Sequence, residues 1–333
     1  MKTIIFSVVF LIFGFLIGYF LLKSSSQNIK EIENCESKYN FINPQLGCGQ
    51  TLIIKKHGYS DLVEKLNAYI ETNKNDGVVE SVSVYFRDLE NGPAFGINEN
   101  ERFIPASLFK LPIMFAYYQL VDEEGLDLGI QIGFGQDSES QPSRQFFPPK
   151  EEVKPHTPYT LDDLIYRMIA YSDNKATAAL VSDLGNRSTG RGSDLMLEIY
   201  KSTGITYPDD KTDAVITTKS YASLFRILYN ASFLSSEMSE KALKNLASGT
   251  FKQGIPKGVP ENILTAHKFG ERFDESLEND VEQFHDCGIV YFPNNPYLLC
   301  IMTKGKYIPT LVASVANISE MVYKEVESRK IEN

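Results

Sequence analysis

The sequence predicts an α+β fold, with an antiparallel five-stranded sheet flanked by helices and a mostly helical lobe beside it. Two observations carry that prediction. Segments with the alternation of strands stand near both ends of residues 59–333, and segments with helical spacing fill the middle. A chain patterned this way brings its two ends into one sheet and folds its middle as a separate layer. A third observation sets the scale: 43% of the 333 residues are hydrophobic, enough for one sizeable core without metals or a disulfide framework.

Taken in order, Ser60 is a candidate N-cap, and Leu62, Val63, Leu66, Tyr69 and Ile70 after it keep helical spacing, so a first helix runs to about Thr72. Residues 79–89 read as a strand, turn at Glu90-Asn91-Gly92, and return over 94–98 as a hairpin at the sheet edge. The helix opened by Ser107 is apolar nearly all round through 108–120, which marks it as buried between layers, and Pro112 is tolerable only in its first turns. The Gly-, Ser- and Pro-rich stretch 131–158, with Phe146-Phe147-Pro148-Pro149 inside it, reads as an irregular loop over a cleft. Thr160-x-x-Asp163 resembles a capping box and starts a helix that ends at Tyr171. Helices follow at about 174–185, 194–202, 218–230 and 239–246. Strands at 264–272, 288–292 and 297–304 complete the sheet, and an amphipathic helix over 311–327 closes the chain.

Ahead of this region, residues 3–22 form an uncharged, mostly apolar run between Lys2 and Lys23, long enough at about 1.5 Å per helical residue to span a bilayer core. It ends without the small-residue cleavage site of a secretory signal. The expectation is an uncleaved membrane anchor over residues 1–23, a stalk over 24–58, and the rest of the chain outside the cytoplasm. Cys35 and Cys48 bracket a short polar segment of that stalk, where an exported chain gains from a disulfide. Cys287 and Cys300 lie in apolar strand-like runs, and two readings stay open for them: buried thiols or a second bridge. A net charge of −10 with no basic run argues against nucleic acid as a partner. No Cys-x-x-Cys pair or His-Glu-x-x-His pattern occurs, so neither a metal nor another cofactor is expected.

Three short motifs stand in a fixed order: Ser107-Leu108-Phe109-Lys110, then Ser172-Asp173-Asn174, then Lys268-Phe269-Gly270. Each supplies one part of an acyl-transfer site. A Ser hydroxyl is a poor nucleophile until a base within about 3 Å takes its proton, and residues three apart on a helix share a face, so Lys110 can reach Ser107. Burial among Leu108, Phe109, Leu111 and Ile113, together with the nearby cation Lys268, would keep Lys110 uncharged and therefore basic. Any one motif alone has a plain explanation: an N-cap with a snorkelling lysine, a helix-capping turn, or a solvated lysine on an edge strand. The ordered set is what argues for chemistry.

The set resembles the serine β-lactamases and penicillin-binding proteins, with their S-x-x-K, S-D-N and K-T-G motifs. The resemblance covers about residues 59–329 and implies a site in the cleft between sheet and helical lobe. It implies that Ser107 forms an acyl-enzyme, Lys110 acts as base and Ser172 relays the proton toward the leaving group. It further implies that Asn174 and Lys268 bind substrate and that the backbone N–H groups of Ser107 and Glu271 form the oxyanion hole, while Gly270 lets substrate approach the strand edge. The substrate implied is a β-lactam or a peptidoglycan-type peptide. A triad using His57, His156, His267 or His285 is the competing scheme, but no Gly-x-Ser-x-Gly elbow is present. The rival functions are a non-catalytic wall-binding protein on the same fold and an esterase.

Two departures from the family pattern bear on turnover and recognition. The stretch from Gly204 to Thr217 carries no Glu to activate the deacylating water, and the acidic residues Asp209, Asp210 and Asp213 in it read as a solvated loop. Phe269 stands where the family has Thr, and Glu271 follows Gly270, so groups that would hold a substrate carboxylate are replaced by one that cannot donate and one that repels. The motifs therefore match the forming of an acyl-serine better than its release.

Overall fold

The computed structural model describes residues 38–331, apart from 45, 47–57, 91, 134–144, 155, 188–190, 204, 206–214 and 273–280. The expected anchor at residues 1–23 and the Cys35–Cys48 pair lie outside the described residues. So do His57 and the acidic residues Asp209, Asp210 and Asp213. Among the described residues no helix is long and apolar enough to cross a membrane.

The sheet is built from both ends of the domain. Strands β1 (Ser81–Asp88), β2 (Ala94–Ile97), β5 (Thr265–Arg272), β6 (Glu282–Val290) and β7 (Tyr297–Gly305) lie in the order β2-β1-β7-β6-β5, every pair antiparallel. The expected five-stranded sheet is therefore present, with β2 at one edge and β5 at the other. Two-residue strands β3 (Gln131–Ile132) and β4 (Tyr159–Thr160) pair separately. β6 starts at Glu282, six residues before the expected start at 288. Its first half escapes the alternation rule because Gln283, His285 and Asp286 are polar yet buried, each with a partner described below. Cys287 and Cys300 face each other across β6 and β7 and are joined as a disulfide, which resolves the two readings left open for them.

Helices α1 (Ser60–Asn75) and α8 (Ile308–Ile331) cover one face of the sheet, where Leu62, Leu66, Val315, Ile318 and Val322 share a core with Val82, Val84, Phe86 and Ile301. Ser60 does not cap α1: it is the first helical residue, and its hydroxyl turns to Asp61. The other face carries the helical lobe. Its axis is α2 (Lys110–Glu124), in which ten consecutive residues from Lys110 to Gln119 are buried, so the helix is enclosed on all sides as its sequence predicts. Pro112 sits in the first turn, where its missing N–H leaves no acceptor unpaired, and Gly125 ends the helix at φ 68°. Around α2 pack α3 (Leu161–Tyr166), α4 (Asn174–Arg187), α5 (Arg191–Thr203), α6 (Thr218–Tyr229) and α7 (Ser236–Ala247).

Residues 38–44, expected in the stalk, are instead docked on this lobe. The Glu240 carboxylate accepts the backbone N–H groups of Asn40, Phe41 and Ile42 at 2.7, 2.8 and 3.0 Å, and Ile42 is buried. Tyr291 completes the contact by donating its hydroxyl to the carbonyl of Phe41 at 2.9 Å.

Candidate active site

The turn that carries Ser107, the candidate nucleophile, is a 3-10 helix over Ala106–Phe109 that runs directly into α2. In a 3-10 turn residues i and i+3 are eclipsed, so the local winding sets Lys110 beneath Ser107. Ala106 adopts a left-handed conformation at φ 46°, a cost that persists only where neighbours fix the backbone. Those neighbours are identifiable. Tyr221 donates its buried hydroxyl to the Leu108 carbonyl at 2.9 Å, and Gln283 accepts the Ile104 N–H at 3.1 Å. His285 Nε2 meets the Ile104 carbonyl at 3.0 Å, and burial lowers the pKa of this imidazole to about 4, so it is a neutral donor there.

Gly270 supports the same turn from β5. A Cβ at this position would lie 3.0 Å from the Leu108 Cγ and the Pro105 carbonyl and 3.1 Å from the Leu108 nitrogen. Its backbone is thus pressed against the nucleophile turn, and the reason for glycine is this close approach of two protein segments.

Ser172 arrives from the helical lobe. Thr160 caps α3 by accepting the Asp163 N–H at 3.1 Å, as the capping-box reading expects, but the α-helix gives way after Tyr166 to a π-helical turn over Arg167–Tyr171. That turn ends on Ser172 in a left-handed conformation at φ 56°. Widened turns of this kind are frequent at functional sites. Asp173 locks the geometry with one oxygen on the N–H groups of Lys175 and Ala176, at the start of α4, and the other on the N–H of Val153. It holds the Ser172 turn and also ties down the loop before α3.

Four side chains from three elements converge at Ser172. Lys110 Nζ lies 2.7 Å from the Ser172 carbonyl, 2.7 Å from Asn174 Oδ1 and 3.1 Å from Ser172 Oγ. Lys268 Nζ reaches the same hydroxyl at 3.0 Å and the Phe269 carbonyl at 2.9 Å. Both amines are buried. Burial, then the neighbouring Lys268, pushes the Lys110 pKa well below the usual lysine range, while burial pulls Lys268 down to about 7 against the upward pull of Asp286 and Glu271. Nζ of Lys110 donates to all three oxygens, and the Ser172 hydroxyl stands between the two amines, within hydrogen-bond reach of both.

Ser107 itself is partly exposed, and its Oγ makes no hydrogen bond to any described residue. Lys110 follows one turn after Ser107, its N–H on the Ser107 carbonyl, and its head group is turned to Ser172 and Asn174. Asn174 has a contact the sequence did not suggest, orienting the base through Oδ1. Glu271 is placed beyond Gly270, mostly buried, with a pKa raised by burial. One oxygen accepts the Phe147 N–H at 3.0 Å. The described histidines serve other ends: His156 is exposed, His267 pairs with Asp286 at 2.8 Å beneath β5, and His285 holds Ile104. Sequence reasoning missed Gln145, Phe147, Tyr221 and the His267–Asp286 couple. Of these, only the Phe-Phe-Pro-Pro run had a visible signal.

The geometry has counterparts among known structures. PBP-A superposes with a TM-score of 0.66 at 23% identity, over 84% of this chain and all of that one. The β-lactamase of Sphaerobacter thermophilus DSM 20745 gives 0.63 at 21%, over 78% and 95%, and the TLA-3 extended-spectrum β-lactamase gives 0.67 at 17%, over 79% and 98%. At these identities the likeness is one of fold. A search of curated proteins gives no significant match. The profile of the β-lactamase enzyme family, however, matches residues 61–326, which takes in the whole sheet and all three motifs, and the chain belongs to that family.

Proposed function

We propose that this protein is a membrane-anchored serine hydrolase outside the cytoplasm that forms an acyl-enzyme at Ser107 with a β-lactam or a peptidoglycan-type peptide. The observation that carries the reading is the Ser172 hydroxyl held at 3.1 and 3.0 Å between two buried lysines of depressed pKa. Such a triple is hard to account for as packing, because two buried amines without a carboxylate partner cost stability.

In the proposed cycle Ser107 Oγ attacks the carbonyl carbon while Lys110 takes its proton. The backbone N–H groups of Ser107 and Glu271 meet the oxygen that becomes negative, and the close packing of Gly270 on the Leu108 turn holds those two donors at a fixed separation. Ser172 then delivers a proton to the leaving nitrogen and is reprotonated from Lys110. Lys268 keeps the hydroxyl aimed and disfavours a charge on Lys110. Asn174 holds Lys110 and contacts the substrate amide. Release of the acyl group is slow, since the stretch from Gly204 to Thr217 offers no Glu to activate water. A PBP-A variant has been captured as an acyl-enzyme with penicillin G, which supports β-lactam acylation on this fold. The apolar run at residues 3–22 supports the anchor and the placement outside the cytoplasm.

A fluorescent penicillin tests this directly. Folded wild type should carry a covalent label that persists on gels and adds the penicilloyl mass, and Ser107→Ala should carry none. An unlabelled, folded wild type at millimolar probe would overturn the β-lactam reading. Steady hydrolysis of a chromogenic cephalosporin run beside it separates a turning-over enzyme from a wall-binding relative that has lost release.

A further inference from the structure

We propose that the end of the cleft beyond Gly270 favours acyl donors that carry no carboxylate on the leaving side; the proposal rests on the acyl-serine reading above and, within it, ranks uncharged leaving groups ahead of penicillins and free peptide C-termini, which carry that carboxylate. β5 turns Phe269 and Glu271 to one face, where their cross-strand partners on β6 are Asp286 and Phe284. There Phe269 stacks on Phe251 with centroids 4.1 Å apart and planes 26° apart, and Phe284 lies stacked 6.3 Å from Phe269. The Phe147 ring closes over this group, 4.9 Å from Phe251 and 6.3 Å from both Phe269 and Phe284. Gln145 ties the same segment to the other side of the cleft by donating to the Ser172 carbonyl at 3.3 Å.

A carboxylate entering this end would exchange its water for phenyl rings, which supply no donor to an anion. It would also meet the charge of Glu271, which is near enough to act on both Lys110 and Lys268. The cation at hand is Lys268, and its ammonium is committed to Ser172 Oγ and the Phe269 carbonyl while it sits 4.5 Å over the Phe269 ring. Glu271 adds a positive preference. Its Oε1 is taken by Phe147, but Oε2 is buried with no hydrogen-bond partner. A buried acceptor without a donor is costly, and a neutral leaving group bearing an N–H would satisfy it while its apolar part lies against the rings. An amide-capped peptide end has that chemistry, and an ester of a neutral alcohol shares its uncharged apolar part without the N–H.

The test uses two donors with one phenylacetylglycyl acyl group: the ester of 3-hydroxybenzoic acid, and the same ester with the benzoate methylated. Acylation of the full chain is followed by release of the phenol and by intact mass, and each kcat/KM is divided by the rate of the uncatalysed reaction. We expect the methylated donor to be preferred by about tenfold or more, and Glu271→Gln to cut that preference by about tenfold, since one like charge near the group is removed. A variant damaged only in structure would lose both rates equally and leave the ratio unmoved. Preference for the free carboxylate in wild type overturns the proposal with no variant needed, and so does a ratio unchanged in folded Glu271→Gln. If neither donor adds mass to Ser107, the serine-hydrolase reading fails and takes this one with it.

Discussion

The two ends of the cleft are built on opposite terms. At the Ser172 end, the head groups of Lys110 and Lys268 have close polar partners within about 3 Å, although both amines are buried. At the Glu271 end, four phenylalanine rings pack together and a carboxylate oxygen is left without a donor. The first end is organised before any substrate arrives, and preorganisation of that kind lowers the barrier to proton transfer. The second end is apolar and incomplete, which is the condition for telling one substrate from another. On the proposed reading, chemistry and selectivity are separated along one strand, with Lys268 on one side of Gly270 and Glu271 on the other.

The sharpest way to break that contrast is at the base. Lys110→Met keeps the length of the buried side chain and removes the amine. We expect acylation by penicillin, followed by stopped-flow or quenched intact mass, to fall by about 10³-fold or more, with circular dichroism unchanged. A loss under tenfold would mean that Lys110 is a buried strut and that another group takes the Ser107 proton.

How much of this was legible beforehand differs between the two ends for a physical reason. The Ser172 end could be read because the chemistry fixes residue types at fixed spacing: Ser107 and Lys110 one turn apart, and Ser172 and Asn174 around a capping turn. The sheet and the helices could be read because burial imposes periods of two and 3.6, as in the second half of β1 and in α6. β6 was placed six residues short because its polar residues are buried by partners far away in sequence, His285 by Ile104 and Asp286 by His267 and the Ile255 N–H. The Phe147 contact was illegible for the same cause. Nothing local to Phe146-Phe147-Pro148-Pro149 says that its ring meets Phe251 and Phe269, more than a hundred residues on. Residues 38–44 read as stalk in the sequence because a backbone held by one distant carboxylate has no sequence pattern of its own.

The buried amines make a second contrast measurable, this time in stability. Lys268 has a folded pKa of about 7 against an unfolded value of 10.5. Between those limits the unfolded chain binds a proton that the folded chain does not, so unfolding free energy rises with pH across that window, and the lysine's penalty is fully present below pH 7. Lys110, also depressed, contributes with the same sign. Denaturant melts at pH 7 and pH 9 should show wild type gaining about 2 kcal/mol, at up to about 1.4 kcal/mol per pH unit and group. The range stops short of the buried tyrosines Tyr118 and Tyr221, whose raised pKa values act in the opposite direction at higher pH. Lys268→Met should remove the share of the rise that Lys268 contributes and leave that of Lys110, and an unchanged slope in that variant would show that Lys268 is charged throughout.

The joint between the two ends is Gly270, and the smallest change there should be felt at both. Alanine adds a single Cβ that meets the Pro105 carbonyl and Leu108 Cγ at 3.0 Å and the Leu108 nitrogen at 3.1 Å. The leucine side chain can yield, but the two backbone atoms belong to the nucleophile turn, which Tyr221, Gln283 and His285 hold from behind. β5 must therefore move outward by a few tenths of an ångström, and the Glu271 N–H moves with it, away from the Ser107 N–H with which it would share the oxyanion. We expect Gly270→Ala to lower kcat for acylation by about tenfold, with KM for the methylated ester little changed, because the donors bind the transition state more than the ground state. The stability cost should be about 1–2 kcal/mol, the ordinary cost of mild overpacking. If acylation is instead untouched while stability drops, the spacing between β5 and the nucleophile turn serves packing alone, and the oxyanion donors lie elsewhere.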